Sequence, residues 1–173
     1  MTTFAPLARA LAAADVRYVL IGVSAANFHA HLGGVVFSTL DRDLFVPPEP
    51  DNLVRAWQAC EECSLELSCS GEPLDRPRDL QLARWVVERR ALTRATDGVD
   101  LHVDLTLVMA GFDFEQAWRE RTTFVLAGVE LPVARLKHIV ASKAAAGRPK
   151  DQLFLATHLE ALRELLGPDE RAI

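Results

Sequence analysis

Two short stretches carry acidic residues at alternate positions, and nothing else in the chain limits the possible folds as strongly. Asp41 and Asp43 stand two apart within residues 39–46, and Val99-Asp100-Leu101-His102-Val103-Asp104-Leu105 alternates polar with apolar. Successive side chains of a strand point to opposite faces. Leu101, Val103 and Leu105 therefore share one face, and Asp100, His102 and Asp104 share the other. Strands of this kind need a sheet with one face buried and one face carrying polar groups. Pro47-Pro48 closes the first stretch, because proline cannot continue a hydrogen-bonded ladder.

The remaining segments supply helices and further strands. Phe4, Leu7, Leu11 and Ala14 have the spacing of an amphipathic helix over residues 3–14. Residues 16–21 are apolar and β-branched and end at Gly22, which predicts a buried strand. Ser24 is expected to cap a helix over 25–32 that stops at Gly33-Gly34. From Asp51, residues Leu53, Val54, Trp57 and Cys60 mark another amphipathic helix. Residues 64–68 read as a short strand and 71–78, rich in proline and charge, as a surface loop. Residues 80–93 stay open: Trp85-Val86-Val87 favours a strand, while the arginines and glutamate fit either state. Residues 114–121 predict a short helix, and 122–126 with 129–133 a hairpin about Ala127-Gly128. Two helices follow, over 134–146 and 149–166, with Gly147 as C-cap and Pro149 in a first turn. The class is α/β (α+β): a mixed central sheet flanked by helices, with C-terminal helices.

The chain of 173 residues is half apolar and a quarter charged, so one domain with a proper core is expected, with 1–133 as sheet core and 134–173 as helical segment. The apolar stretches 16–26 and 103–110 are interrupted and shorter than the roughly 20 residues of a bilayer span. The first residues lack the pattern of a secretory signal, so no membrane segment and a cytoplasmic address are expected. Cys60, Cys63 and Cys69 form an odd set, read as reduced packing residues rather than a disulfide or zinc framework. His29, His31, His138 and His158 lack zinc spacing, and Trp57, Trp85 and Trp118 read as packing anchors. A net charge of -5 gives no global basic field. Locally, Arg76, Arg78, Arg84, Arg89, Arg90 and Arg94 gather in one segment, and Lys137, Lys143, Arg148 and Lys150 in another. Each group is either a solvated face or a patch for phosphates.

Two carboxylates roughly 6–7 Å apart along one strand face repel each other. A hard cation such as Mg²⁺, which takes oxygen ligands, relieves that repulsion. An isolated Asp-x-Asp can equally be a solvated face, but the second acidic strand offers a third carboxylate from a neighbour about 4.8 Å away. Three such groups suit the two-metal clamp used for in-line attack on phosphorus. Gly22-Val23-Ser24 lies between strand and helix, where free backbone N–H groups and the helix dipole favour a phosphate.

Together these residues resemble the nucleotidyltransferase superfamily, with its polymerase-β-like fold: Gly-Gly/Ser at a strand-to-helix turn, Asp-x-Asp on the next strand and a third carboxylate later. Within it, Thr39-Leu40-Asp41-Arg42-Asp43 and Lys143 followed by Arg148-Pro149-Lys150-Asp151 are similar to the small bacterial proteins of the abortive-infection AbiEii type. The resemblance covers about residues 16–165. It implies two Mg²⁺ ions held by Asp41, Asp43 and Asp104, the last chosen over Asp100 for its spacing to Gly111-Phe112. It implies a nucleoside triphosphate met by Gly22, Ser24, Thr39, Lys143, Arg148, Lys150 and Asp151. Asp100 and His102 then support the ligands, and Asp151 can equally act as a first-turn acid of the last helix. The acceptor implied is tRNA or another RNA, or a protein in a toxin–antitoxin setting, with residues 76–94 as the backbone contact. Three positions depart from the pattern: Phe37 stands where an arginine is usual, the turn reads Gly-Val-Ser, and Arg42 fills a position that normally packs into the core. Phe37 and Arg42 favour an alternative, a degenerate nucleotide- or partner-binding module; a small-molecule enzyme of the antibiotic-modifying kind is a third reading.

Overall fold

The structure, a computed structural model, describes residues 4–30, 36, 37, 39 and 41–166. Helix α1 (Phe4–Ala13) buries Phe4, Leu7, Ala8 and Leu11 along one side, and Asp15, at φ 51°, ends it. Strand β1 (Val19–Ile21) is wholly buried and runs directly into α2 (Gly22–Ala30). The helix thus starts two residues before the expected cap, and Ser24 lies inside it. Its expected stop at Gly33-Gly34, and His31, lie outside the described residues. After β2 (Asp41–Phe45), α3 (Pro50–Glu62) starts on a proline at its first turn and buries Leu53, Ala56, Trp57 and Cys60, one helical stripe.

Strand β3 (Glu66–Cys69) and the two-residue β4 (Glu72–Pro73) follow. The ambiguous stretch resolves into a helix and then a strand. The Asp79 carboxylate accepts from the N–H groups of Gln81 and Leu82 and so caps α4 (Leu80–Glu88), which buries Ala83 and Val86. Strand β5 (Thr93–Thr96) then pairs with β3 and with β6 (His102–Thr106). Asp113 caps α5 (Phe114–Glu120), and β7 (Thr122–Leu126) with β8 (Val129–Val133) form the hairpin. Ala127 and Gly128 have φ 49° and 80°, the left-handed pair that a tight hairpin turn of this hand requires. Gly147, at φ 61°, ends α6 (Leu136–Ala146), and Pro149 opens α7 (Pro149–Thr157). A break at His158 separates α7 from α8 (Leu159–Leu166), so the described residues of the C-terminal segment form three helices where two were expected.

Among the described residues the strands form one mixed sheet in the order β4-β3-β5-β6-β2-β1-β8-β7. The fold is α+β. β2 lies parallel to β6 and antiparallel to β1, and β5 antiparallel to β6. On one face Leu44, Leu105 and Thr93 stand in register, beside Val103, Ala95 and Leu67. This face carries α3, whose Trp57 Nε1 donates to Thr93 Oγ1 at 3.1 Å, both groups buried, and α1 and α4 pack on α3. Arg42 falls in this apolar row, half-buried, its guanidinium donating to the Asp41 carbonyl at 3.3 Å; burial lowers its pKa. On the other face lie Asp41, Asp43 and Asp104, with α2 against β1 and β2 and α6 against α2. No helix among the described residues is long and apolar enough to cross a membrane.

Other expectations take definite form. The three cysteines are free, Cys60 buried with its thiol pushed up to about 12 by burial. Trp57 is an interior anchor and Trp118 stacks on Phe114. Trp85 is not an anchor: it is 46% exposed with the Arg89 guanidinium 4.1 Å from its ring centre.

Both backbone groups of Phe37 are held by one side chain, that of Asn27. Asn27 donates to the Phe37 carbonyl at 2.8 Å and accepts from the Phe37 N–H at 2.7 Å. Phe37, 1% exposed, packs edge-on against Phe154 and His158, ring centres 5.3 and 4.7 Å away. Asn27→Ala leaves two backbone groups without their partner, so a loss of about 2–3 kcal/mol in denaturant unfolding is expected; a change within about 0.5 kcal/mol would show that Phe37 is held by packing alone.

Candidate active site

Strand register assembles the centre of the site. Asp43 stands directly beside Asp104, and Asp104 directly beside Arg94, one row across β2, β6 and β5. Two residues along, Asp41 pairs with His102 and His102 in turn with Thr96, the His102 ring nitrogen lying 3.0 Å from Thr96 Oγ1. All three expected acids therefore occupy one face. Arg94 grips both oxygens of Asp104, Nε at 2.6 Å and Nη2 at 2.8 Å, and its Nη2 lies 3.9 Å from Asp41 Oδ1. This fork geometry is the strong, directional form of an arginine–carboxylate contact.

Gly22 forms the adjoining wall. Its φ of 72° is one that other residues rarely adopt, and a Cβ there would collide with Asp43 Oδ2 and lie 3.1 Å from Asp43 Cγ. The backbone can thus approach the carboxylate only because this residue has no side chain. Burial, then the charges of Asp104 and Asp41, push the Asp43 carboxyl up to about 6, against the opposing pull of Lys143 and Lys150.

The C-terminal helices supply the opposite wall. Asp151, fully buried in the first turn of α7, accepts from Lys143 Nζ at 2.8 Å and Arg148 Nε at 2.5 Å. Burial alone would raise its pKa, but these two hydrogen bonds and charges outweigh it and hold the carboxyl below the usual range. Lys143 also lies 4.8 Å from the centre of the Phe154 ring. Lys150 is exposed and has no carboxylate in ion-pair range among the described residues. Together these elements line a cleft of about 550 Å³ with Gly22, Thr39, Asp41, Asp43, Arg94 and Asp104 on one side and Lys143, Arg148, Lys150 and Asp151 on the other.

Nine of the ten residues singled out from sequence line this cleft; Ser24 does not. Its side chain is buried and its hydroxyl donates back to the Ile21 carbonyl at 3.4 Å, as a residue inside a first turn does. Thr39 takes a local role too, its Oγ1 accepting from the Asp41 N–H at 3.2 Å. Asp100 is exposed, in a turn whose N–H groups are gathered by Asp97. Sequence reasoning missed Arg94 as a site residue and counted it only within the arginine run. The alternation Thr93-Arg94-Ala95-Thr96 was its signal, hidden by the unassigned stretch before it.

Chemically, Asp41 and Asp43 offer oxygen donors fixed on a strand, the type a hard divalent cation takes. Among the described residues no three His, Cys, Asp or Glu side chains are grouped closely enough to hold a metal ion; Asp104 spends both oxygens on Arg94. The donor set therefore fits a cation at the Asp41–Asp43 pair and does not offer Asp104 as a free third ligand. The chain matches no protein-family model and no curated protein.

Two outcomes follow from the charges. An acid whose folded pKa exceeds its unfolded one destabilises the fold where it is ionised: little below about pH 4, fully above about 6. In chelator, Asp43→Asn is expected to exceed the parent in stability by roughly 2 kcal/mol at pH 7 and to match it at pH 4; equal melting curves at pH 7 would refute the crowding. Asp151 has the opposite sign: its contribution is present above the unfolded carboxylate pKa and is lost as pH falls through the lowered folded one. Asp151→Asn should cost about 3 kcal/mol at pH 7, with the gap closing on acidification in melts run from pH 7 to 3.

Proposed function

We propose that this protein is a divalent-cation-dependent nucleotidyltransferase that moves a nucleoside monophosphate from a nucleoside triphosphate to a hydroxyl acceptor. The observation that supports this best is a single cleft with Asp41, Asp43 and Asp104 on a sheet face and Lys143, Arg148 and Lys150 opposite, beside the Gly22 turn. Carboxylates alone suit many solvated sheets, and basic residues alone suit many anion sites. Their opposition across one cleft suits a polyphosphate carried with a cation.

Asp41 and Asp43 would hold the Mg²⁺. That ion supplies neutralisation of phosphate charge and activation of the acceptor oxygen. Gly22 brings the N-terminal N–H groups of α2 to the cleft, where phosphate oxygens are favoured. Lys150, exposed and without a carboxylate in ion-pair range, and Lys143 and Arg148, anchored on Asp151, offset the charge of the triphosphate tail. In the reaction an acceptor oxygen bonds to the α-phosphorus, the bond from that phosphorus to the bridging oxygen breaks, and pyrophosphate leaves with the electron pair. The hydroxyl proton passes to a cleft carboxylate; the family resemblance nominates Asp104, whose two oxygens are held by Arg94 in this structure.

The acceptor class proposed is RNA. Of the six arginines between 76 and 94, Arg76 and Arg78 pair with Glu61 and Arg94 with Asp104. This leaves Arg84, Arg89 and Arg90 exposed on or just after α4, beside the exposed Trp85. An exposed aromatic ring with the Arg89 guanidinium over one face, beside the exposed Arg84 and Arg90, suits a stacked base on the other face and a phosphate backbone.

A second reading, a nucleotide-binding module without turnover, is favoured by the engaged Asp104 and by Phe37 buried where an arginine is usual. Transfer of labelled nucleoside monophosphate from ATP, CTP, GTP or UTP to bulk RNA separates the two. The enzyme reading expects transfer that falls by about a thousandfold or more in Asp41→Asn/Asp43→Asn with the fold intact. Nucleotide binding by calorimetry with no pyrophosphate released would support the module instead, and transfer unchanged in the double variant would sink the assignment.

A further inference from the structure

The place that Arg94 occupies bears on how many cations the site takes. Register puts Arg94 directly beside Asp104, and Asp104 directly beside Asp43. The guanidinium is bound through two atoms to both Asp104 oxygens, at 2.6 and 2.8 Å, and the same Nη2 reaches to 3.9 Å from Asp41 Oδ1. It therefore sits between the acids of two strands. A two-ion clamp places its metals about 3.5–4 Å apart and needs carboxylate oxygens for both. Asp104 already carries a guanidinium across both of its oxygens, so a second metal ion there would meet that positive charge, whereas Asp41 and Asp43 have no such bidentate partner.

We propose that Arg94 takes the place of one of the two divalent ions, so that the site binds a single divalent cation at Asp41 and Asp43 beside a permanent guanidinium charge. This rests on the cation-dependent reading above and adds to it the identity of the second positive group. Three features make Arg94 suited to the role. Its backbone is locked between β3 and β6, so it cannot drift away from Asp104 as a loop residue would. A guanidinium stays charged at any physiological pH. Its fork uses two of five N–H bonds on Asp104, leaving donors for an anionic guest in the cleft that it lines. A displaceable lock, in which Arg94 swings out and Asp104 joins the ligands, is the competing arrangement, and it predicts a different ion count.

The test is a titration of the full chain with Mn²⁺, with and without ATP, counting bound ions by the loss of the free-ion electron paramagnetic resonance signal. The expected result is one ion per chain for the parent protein and for Arg94→Lys, which keeps the charge. Arg94→Ala and Arg94→Gln, which remove it and free Asp104, are expected to bind two. Gln retains much of the side-chain volume and keeps the test open should the alanine variant fail to fold. Two ions in the parent, or one in both neutral variants, would overturn the proposal and leave the cation-dependent reading standing. No bound ion in the parent, with none gained in either neutral variant, would overturn both.

Discussion

Like charges forced into one row are the constraint from which the site follows. Asp43 and Asp104 are neighbours across two parallel strands, and neither can turn away without breaking the alternation that buries Leu44, Val103 and Leu105 on the far side. The polar face is therefore obliged to carry crowded carboxylates, and the protein meets that repulsion with the Arg94 fork and with the lysines of the C-terminal helices. Gly22 belongs to the same arrangement, because the helix that covers this face must begin within touching distance of Asp43.

The parts legible in the sequence are those set by local chemistry. Period-two alternation located the face of β6, paired left-handed residues fixed the β7–β8 hairpin, and Gly147 with Pro149 marked the turn from α6 to α7. What escaped depends on contacts between distant segments. Trp85-Val86-Val87 has the makeup of a strand, yet the helix wins because Ala83 and Val86 find α3 and Asp79 supplies a cap. Once that helix was unassigned, β5 was lost with it, and so was Arg94, whose partner is set by strand order rather than by sequence spacing. Ser24 was misjudged for a similar reason: a glycine at positive φ lets α2 begin two residues early. The break at His158 has no glycine or proline to announce it.

Two aromatic and polar clasps connect the walls of the cleft. Phe37, on the side of β2, packs edge-on against Phe154 and His158 of the C-terminal helices. Asp151 ties α6 to the corner before α7 through Lys143 and Arg148. Two of the three cations of the basic wall are thereby anchored on Asp151, while Lys150 is exposed to solvent.

The charges lining the cleft have one further consequence. Asp41, Asp43, Asp104 and Asp151 are matched by Arg94, Lys143, Arg148 and Lys150. A cavity at such parity projects little field beyond its mouth, so distant ions are not drawn in, and encounter rates should respond weakly to ionic strength. On the function proposed above, selection would act on contact, where each sign is presented separately: a lone cation or a lone polyanion would meet half of the lining as an opponent, whereas the two arriving as a joined pair would satisfy both.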